Sequence, residues 1–416
     1  MALDELDFQT QLVHAGERQP ARPGRPVTTP IYTTTTFTYE SMADLDAAFS
    51  GENEGFLYSR FGNPTNAALE SAMTVLERGA GACVFASGMA ALHASLLACD
   101  LAPGATVIAS QDLYGATLRL LYNIFDSFGV RTVTANFNDI ETLERLATDS
   151  RPRALLAETI SNPLLKVCDI KACADVAHKV GARLIVDNTF ASPYLCQPLA
   201  LGADFSVHSA TKYLGGHCDA TGGVVVARDE MDIGALNGTM KLVGGVLGVW
   251  DAHEILRGIK TLGLRMEKQC ANARRIAERF ATDERIKHVY YPGSANNANA
   301  NRSEHATNIE SSDSSGIAKT LRAGCGGALV TIALTEDTRE AAFKFMDNLR
   351  LCVRSTSLGD VFTGVLHPAT ASHRDLSPAQ RMRLGIGDGM VRISVGIEDA
   401  ADIISDIEQA LTKAAT

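Results

Sequence analysis

Between residues 83 and 227 the chain alternates short apolar runs with amphipathic stretches, and that alternation constrains its fold more than any other feature. Residues 83–86, 106–109, 131–135, 154–157, 183–186, 205–207 and 223–227 read as strands. Residues 90–98, 114–128, 140–147 and 170–180 read as helices between them. Strands joined through helices need crossover connections, so the pattern predicts a mostly parallel sheet with helices on both faces. Ligands of such sheets bind beyond the carboxyl ends of the strands. Ser87, Tyr114, Asn162, Asp187 and Lys212 all fall just past a strand end.

The flanks are less periodic. Residues 1–60 contain a Pro/Arg/Gly-rich stretch (20–30) and the β-prone Ile31-Tyr32-Thr33-Thr34-Thr35-Thr36-Phe37, with no pairing partner nearby. They read as an extended arm lying on another part of the fold or on another subunit. Residues 61–252 read as the large domain. A long helix over 252–282 is expected to bridge to a smaller α+β domain within 253–416, with strands near 288–291, 328–334 and 391–395 and a closing helix over 400–415. Residues 294–315, rich in Asn, Ser and Ala, read as a surface loop without chemistry.

Composition excludes several classes. Hydrophobic residues make up 46% and charged residues 21% of 416 residues, the balance of a soluble globular protein. A net charge of −10 with no dense Lys/Arg run argues against a nucleic-acid partner. No apolar run is long enough to span a bilayer, and the acidic N-terminus does not resemble a signal peptide, which makes the cytoplasm the default location. Nine cysteines form no Cys-x-x-Cys pair; Cys168 and Cys173, five apart, lack matching ligands, so buried reduced thiols are expected and no metal. Two nucleotide-binding motifs are absent, the dinucleotide G-x-G-x-x-G after a strand and the G-x-x-x-x-G-K-[ST] loop.

Lys212 lies in Ser209-Ala210-Thr211-Lys212-Tyr213-Leu214-Gly215-Gly216, at the end of a strand and among small hydroxyl residues. An arbitrary lysine is most often solvated. Here Asp187 ends an apolar strand 25 residues earlier (212 − 187), where a carboxylate is costly unless partnered. An aspartate for a ring nitrogen and a lysine for an aldehyde are what pyridoxal phosphate (PLP) requires. Ser87-Gly88-Met89, between a strand and a helix, suits an anion, as do Ser209 and Thr211. Tyr114 could stack on the ring.

The ordered set Tyr58-Ser59-Arg60, Gly62-Asn63-Pro64-Thr65, Ser87-Gly88-Met89, Tyr114-Gly115, Ser161-Asn162-Pro163, Asp187-Asn188-Thr189-Phe190, Ser209-Ala210-Thr211-Lys212-Tyr213 and Arg392-Ile393-Ser394-Val395-Gly396 resembles the Cys/Met-metabolism PLP enzymes over nearly the whole chain. The resemblance implies an α/β fold of the aspartate-aminotransferase type (fold type I), with a mostly parallel seven-stranded sheet, helices on both faces and a smaller α+β C-terminal domain. It implies that Lys212 forms the Schiff base and shuttles protons, that Asp187 holds the pyridinium, and that Tyr114 stacks and assists proton transfer. Ser87, Gly88, Met89, Ser209 and Thr211 would bind the phosphate, and Tyr58 and Arg60 would reach the phosphate of a neighbouring subunit in a dimer of dimers. Asn162, Ser357 and Arg392 would bind the substrate carboxylate.

The same resemblance implies γ-replacement on an activated homoserine or other γ-substituted L-amino acid through a vinylglycine-type ketimine, a trans-sulfuration reaction like that of cystathionine γ-synthase. γ-Elimination to a 2-oxo acid and ammonia is the alternative, as is replacement by a non-thiol nucleophile. Ala116 stands where methionine γ-lyases carry a cysteine, while residues 216–223 and Ser357-Leu358-Gly359-Asp360 look like the γ-synthase and γ-lyase groups. A PLP-fold protein that only binds a ligand would be expected to lack Lys212 or Asp187, and both are present.

Overall fold

The structure, a computed structural model, describes residues 3–18, 24, 26–53, 55–292 and 320–415. The expected loop over 294–315 and part of the Pro-rich stretch lie outside the described residues.

Seven strands form the larger sheet: β1 (Gly81–Phe85), β2 (Thr106–Ser110), β3 (Arg131–Ala135), β4 (Ala154–Glu158), β5 (Arg183–Asp187), β6 (Phe205–Ser209) and β7 (Gly223–Ala227). Their order is β1-β7-β6-β5-β4-β2-β3. β7 runs antiparallel to both its neighbours and every other pairing is parallel, so the sheet is mostly parallel as expected. Side chains of a strand alternate between faces. Val84, Ile108, Leu155, Val186 and Val224 fill one buried cluster, whereas Phe85, Val107, Leu156, Ile185 and Val225 fill another. Burial on both faces is why these strands read as continuous apolar runs. A second sheet, of order β10-β11-β12-β9-β8, comprises β8 (Ile286–Tyr290), β9 (Leu329–Leu334), β10 (Val353–Arg354), β11 (Gly364–Leu366) and β12 (Met390–Ser394).

Four helices depart from or refine the sequence reading. The N-terminal segment is not only extended: α1 (Phe8–His14) buries Leu12, and α2 (Met42–Ser50) is capped by Ser41, whose side chain accepts from the Asp44 N–H. Both are short, and α2 buries no residue, so neither leaves an apolar stripe to read. α3 (Pro64–Glu77) starts after Asn63, whose side chain accepts from the Thr65 N–H, with proline in the first turn. α4 (Gly88–Leu97) starts at Ser87, whose side chain accepts from Ala90 N–H.

Two expected helices are broken. The stretch 114–128 is an α-helix only over Gly115–Arg119, followed by a π-helical turn (Leu120–Phe125) and a 3-10 turn (Asp126–Phe128). The buried pair Leu121 and Phe125 keeps a spacing of four, so a 3.6-residue pattern cannot reveal the wider turn. The expected bridge over 252–282 is two helices, Val249–Ile259 and Leu262–Phe280. At the break Lys260 reaches back to the Ala15 carbonyl (3.1 Å). Among the described residues no helix is long and apolar enough to cross a membrane.

Candidate active site

Asp187 closes β5, and Glu158 closes β4 directly beside it in register. Asp187 Oδ1 accepts from the Thr189 N–H (3.0 Å) and the Thr189 hydroxyl (2.5 Å). That hydroxyl also accepts from the Ser209 N–H (2.8 Å), tying the ends of β5 and β6 together. Glu158 Oε1 accepts from the Tyr114 N–H (2.6 Å), which fixes the start of the Tyr114 segment while leaving its side chain partly in solvent. Burial raises the pKa of both carboxyls, and the charge of Asp187 raises Glu158 further. Two such carboxyls at adjoining strand ends share one favourable ionisation, and a cation placed beside Asp187 would settle the charge there. No Lys, Arg or His lies within ion-pair distance of Asp187 among the described residues.

Next to this edge lies an anion cradle. The opening N–H groups of α4 have no partner within the helix, and a Cβ built on Gly88 would lie 2.8 Å from Ser209 Cβ. Any side chain at 88 would fill the gap between the start of α4 and the end of β6. Met89 is partly buried in the same first turn. Thr211 Oγ1 accepts from the Gly222 N–H at 3.0 Å.

Lys212 follows in the turn after β6. Its N–H donates to Ser209 O (3.1 Å) and its Nζ donates to Ser357 Oγ (3.0 Å), 145 residues away in sequence. Burial and the guanidinium of Arg392 lower the lysine's pKa, and Asp360 opposes them. Arg392, on β12, is 3% exposed. Its Nη1 donates to Asn162 Oδ1 (2.9 Å) and its Nη2 to Ser357 O (3.5 Å), while its Nε is buried without a partner. No carboxylate lies within ion-pair distance of it among the described residues. A buried cation without an anion is costly, and burial alone lowers its pKa to about 10. The guanidinium therefore keeps an unused buried donor, Nε, beside its bond to Asn162.

Of the residues picked from the sequence, Lys212, Asn162, Ser357 and Arg392 form one connected cluster, and Asp187, Ser209 and Gly88 a second. Tyr58 and Arg60 stand apart. Arg60 packs over the rings of Tyr58 (5.7 Å) and Phe61 (4.7 Å) and donates to the Lys241 carbonyl. Tyr58 bridges to Thr36 and is 43% exposed.

Four residues escaped the sequence reading. Glu158 ends a buried strand exactly as Asp187 does, and the same criterion could have found it. His373 is buried against Asn162 and Arg392, and burial pushes its pKa down to about 4, leaving it neutral. Behind the sheet edge, His208 Nε2 meets Glu77 Oε1 at 2.6 Å, and Asn188 Nδ2 donates to the same oxygen at 3.1 Å. No local pattern links Glu77 and His208, which are 131 residues apart.

A lysine and a buried carboxyl without a cation at one end of the larger sheet, with a buried guanidinium from β12 that has no carboxylate, together suit PLP and an amino-acid carboxylate. The comparisons agree. A model of the Cys/Met metabolism PLP-dependent enzymes matches residues 9–412. The chain is 39% identical over 403 residues to a cystathionine gamma-lyase of Bacillus subtilis, covering 97% of this chain and 98% of that protein. It is 38% identical over 409 residues to an L-methionine gamma-lyase of Pseudomonas putida, covering 98% of each. The crystal structure of cystathionine gamma synthase from Xanthomonas oryzae pv. oryzae in complex with aminoacrylate and cysteine matches with a TM-score of 0.88 at 33% identity, over 99% of both chains. The chain belongs to the Cys/Met metabolism PLP-dependent enzyme family, with the fold-type I architecture and PLP as cofactor. It is an enzyme with a small-molecule amino-acid substrate.

Proposed function

We propose that the enzyme expels a substituent from the γ carbon of a γ-substituted L-amino acid and replaces it with an incoming nucleophile, an activated homoserine being the substrate class. The observation that supports this reading best is the buried Arg392, bonded to Asn162 and adjoining Ser357, with Lys212 Nζ on the same serine. It pairs a carboxylate fork with a base.

When bound, PLP supplies an electron sink that acidifies C–H bonds near the amino-bearing carbon. The chain supplies the rest. Arg392 binds the substrate carboxylate, and Asn162 Oδ1 holds the guanidinium plane in the orientation that two parallel hydrogen bonds need. Lys212, its pKa lowered by burial and by Arg392, has a larger neutral fraction near pH 7 and can take the α proton at Nζ and return it. Ser357 Oγ holds that nitrogen in reach. Asp187, with Thr189 on one oxygen, keeps the other for the ring nitrogen. The start of α4, with Ser87, Gly88, Met89, Ser209 and Thr211, receives the phosphate. Tyr114 stacks on the ring from an anchored backbone. Tyr58 and Arg60, whose contacts are remote from this cluster, serve the phosphate of a second subunit, so the active unit is at least a dimer, with a dimer of dimers the expected assembly.

A second reading, γ-elimination to a 2-oxo acid and ammonia, is favoured by the likeness to proteins named gamma-lyases. Incubation of the purified protein with O-acyl-homoserine, with and without cysteine, separates the two. Replacement predicts a cysteine-dependent thioether product by mass spectrometry. Equal 2-oxobutanoate and ammonia in both tubes would overturn it in favour of elimination.

The carboxylate fork gives a separate expectation. Arg392→Lys keeps a positive charge but loses the planar pair of donors. It is expected to raise KM far more than it lowers kcat, with kcat/KM falling about 100-fold, equivalent to roughly 2.7 kcal/mol. Steady-state kinetics on the same substrate measure the split.

A further inference from the structure

An ion pair joins the turn that carries Tyr114 to the loop that carries Asn162. The turn follows β2 and the loop follows β4. Lys166 Nζ donates to both carboxylate oxygens of Asp112, each at 3.1 Å. Asp112 precedes Tyr114 by two residues (114 − 112), and Lys166 follows Asn162 by four (166 − 162). Neither residue has a role in the chemistry above.

The loop 160–167 closes on itself. Ile160 and Val167 form an antiparallel bridge, Ser161 N–H donates to Lys166 O (2.9 Å), and Lys166 N–H donates to Ser161 Oγ (3.1 Å). To close there, Leu165 takes φ +55°, a left-handed conformation that a bulky side chain rarely adopts and that persists only where its surroundings fix it. Two side-chain contacts then fasten the loop to its neighbours. Thr331 Oγ1 donates to Pro163 O (2.7 Å), and Thr331 lies on β9 in register with Arg392 on β12. The Asp112–Lys166 pair fastens the same loop to the Tyr114 turn. Between these two points of attachment, Asn162 Oδ1 accepts from Arg392 Nη1 (2.9 Å). The turn is itself pinned by its backbone: Gln111 N–H donates to Ala135 O (2.9 Å) and Tyr114 N–H to Glu158 Oε1 (2.6 Å).

We propose that Asp112 and Lys166 are positioning residues, a clasp that sets the Asn162 loop against the Tyr114 turn and so fixes the spacing between the stacking ring and the carboxylate fork of Arg392. The proposal rests on the roles given above to Tyr114 and Arg392. The side chains of Lys166 and Asp112 are 32% and 12% exposed, and a partly solvated ion pair adds little to folding stability. Its consequence is geometric. Without it the loop keeps Thr331 but loses its tie to the turn, and Asn162 Oδ1 no longer holds the guanidinium plane in one place. A shift well under 1 Å is enough to matter, since a misplacement of about 1 Å costs on the order of 100-fold.

The test is steady-state kinetics of the PLP holoenzyme on O-acetyl-homoserine, followed by its consumption, which counts replacement and elimination alike. Lys166→Met keeps the length of the side chain and removes its charge. It is expected to raise KM about 10-fold and to lower kcat less than about 3-fold, with a melting temperature within about 2 °C of the unmodified protein. Asp112→Ala should do the same, and the double variant should be no worse than either, because both changes remove one contact. Lys166→Arg, which keeps the charge and two donors for the two oxygens, should return most of the lost KM. Additive losses, an unmoved KM in Lys166→Met, or a loss that follows melting temperature and is not restored in Lys166→Arg would overturn the clasp. If Lys166→Met does not fold, Lys166→Gln carries the same expectation. Arg392→Lys separates the premise: an unmoved KM there removes the carboxylate-fork reading and the clasp with it. A raised KM in Arg392→Lys beside an unmoved one in Lys166→Met removes the clasp alone.

Discussion

Lys212→Ala is expected to lose the visible absorbance of covalently held PLP and to lower turnover by at least ~10³-fold, the range spanned by loss of a positioned acid–base group. The expectation follows from how few groups in the cluster can move a proton. Arg392 stays cationic, with a pKa near 10. Burial keeps the phenol of Tyr213 protonated and raises Asp360. Lys212 is the group whose environment favours a neutral nitrogen beside the carboxylate fork, through burial first and Arg392 second. Ser357 would lose its donor at 3.0 Å but remain attached to the turn. PLP should still bind through the cradle of α4 and through Asp187, so a titration of the variant with PLP, followed by fluorescence, is expected to show retained affinity with no covalent band. Near-normal turnover in this variant would overturn the assignment.

Glu77→Ala should be the most destabilising single truncation near the site. Glu77 occupies the last turn of α3, where the helix dipole disfavours a negative charge. The local preference is overruled by His208, 1% exposed on β6, and by Asn188 at the end of β5, both bonded to Glu77 Oε1. Asn188 in turn accepts from the Thr159 hydroxyl at 2.7 Å. Truncation removes one buried partner from each, leaving His208 Nε2 with Ser206 Oγ (3.3 Å) and Asn188 Nδ2 with the Cys196 carbonyl (2.9 Å), at a cost of about 3–5 kcal/mol. Glu77→Gln keeps an acceptor for His208 and should cost about 1–2 kcal/mol. Urea unfolding of the three proteins measures the order. Equal midpoints for Glu77→Ala and the unmodified protein would show that the network contributes nothing to stability.

What could be read in the sequence was whatever is encoded within a few residues. The strands of the larger sheet stood out because burial on both faces removes polar residues from five successive positions, as in Gly223–Ala227. Asp187 stands out because it ends such a run, and Lys212 because it follows a strand end among small hydroxyl residues. Arg392 was identifiable only through the family resemblance, since its partner Asn162 lies 230 residues away and nothing local connects them. β10 and β11, with two and three residues, are too short to show a period. α2 was missed although Ser41 and Gly51 bracket it as caps, because its face is solvated and the eye follows apolar residues. Glu77 sits in the last turn of α3 against the helix dipole, and that disagreement is the one local sign of its distant partner.

The stitch between Lys212 and Ser357 also sets a schedule. A ribosome makes Lys212 180 residues before Arg392 (392 − 212), so the nascent chain holds its lysine long before the guanidinium proposed to bind the substrate carboxylate exists. Arg392 takes its place only when β12 enters its sheet between β11 and β9. If Arg392 binds the substrate carboxylate as proposed, the selecting group is among the last parts of the site to be synthesised.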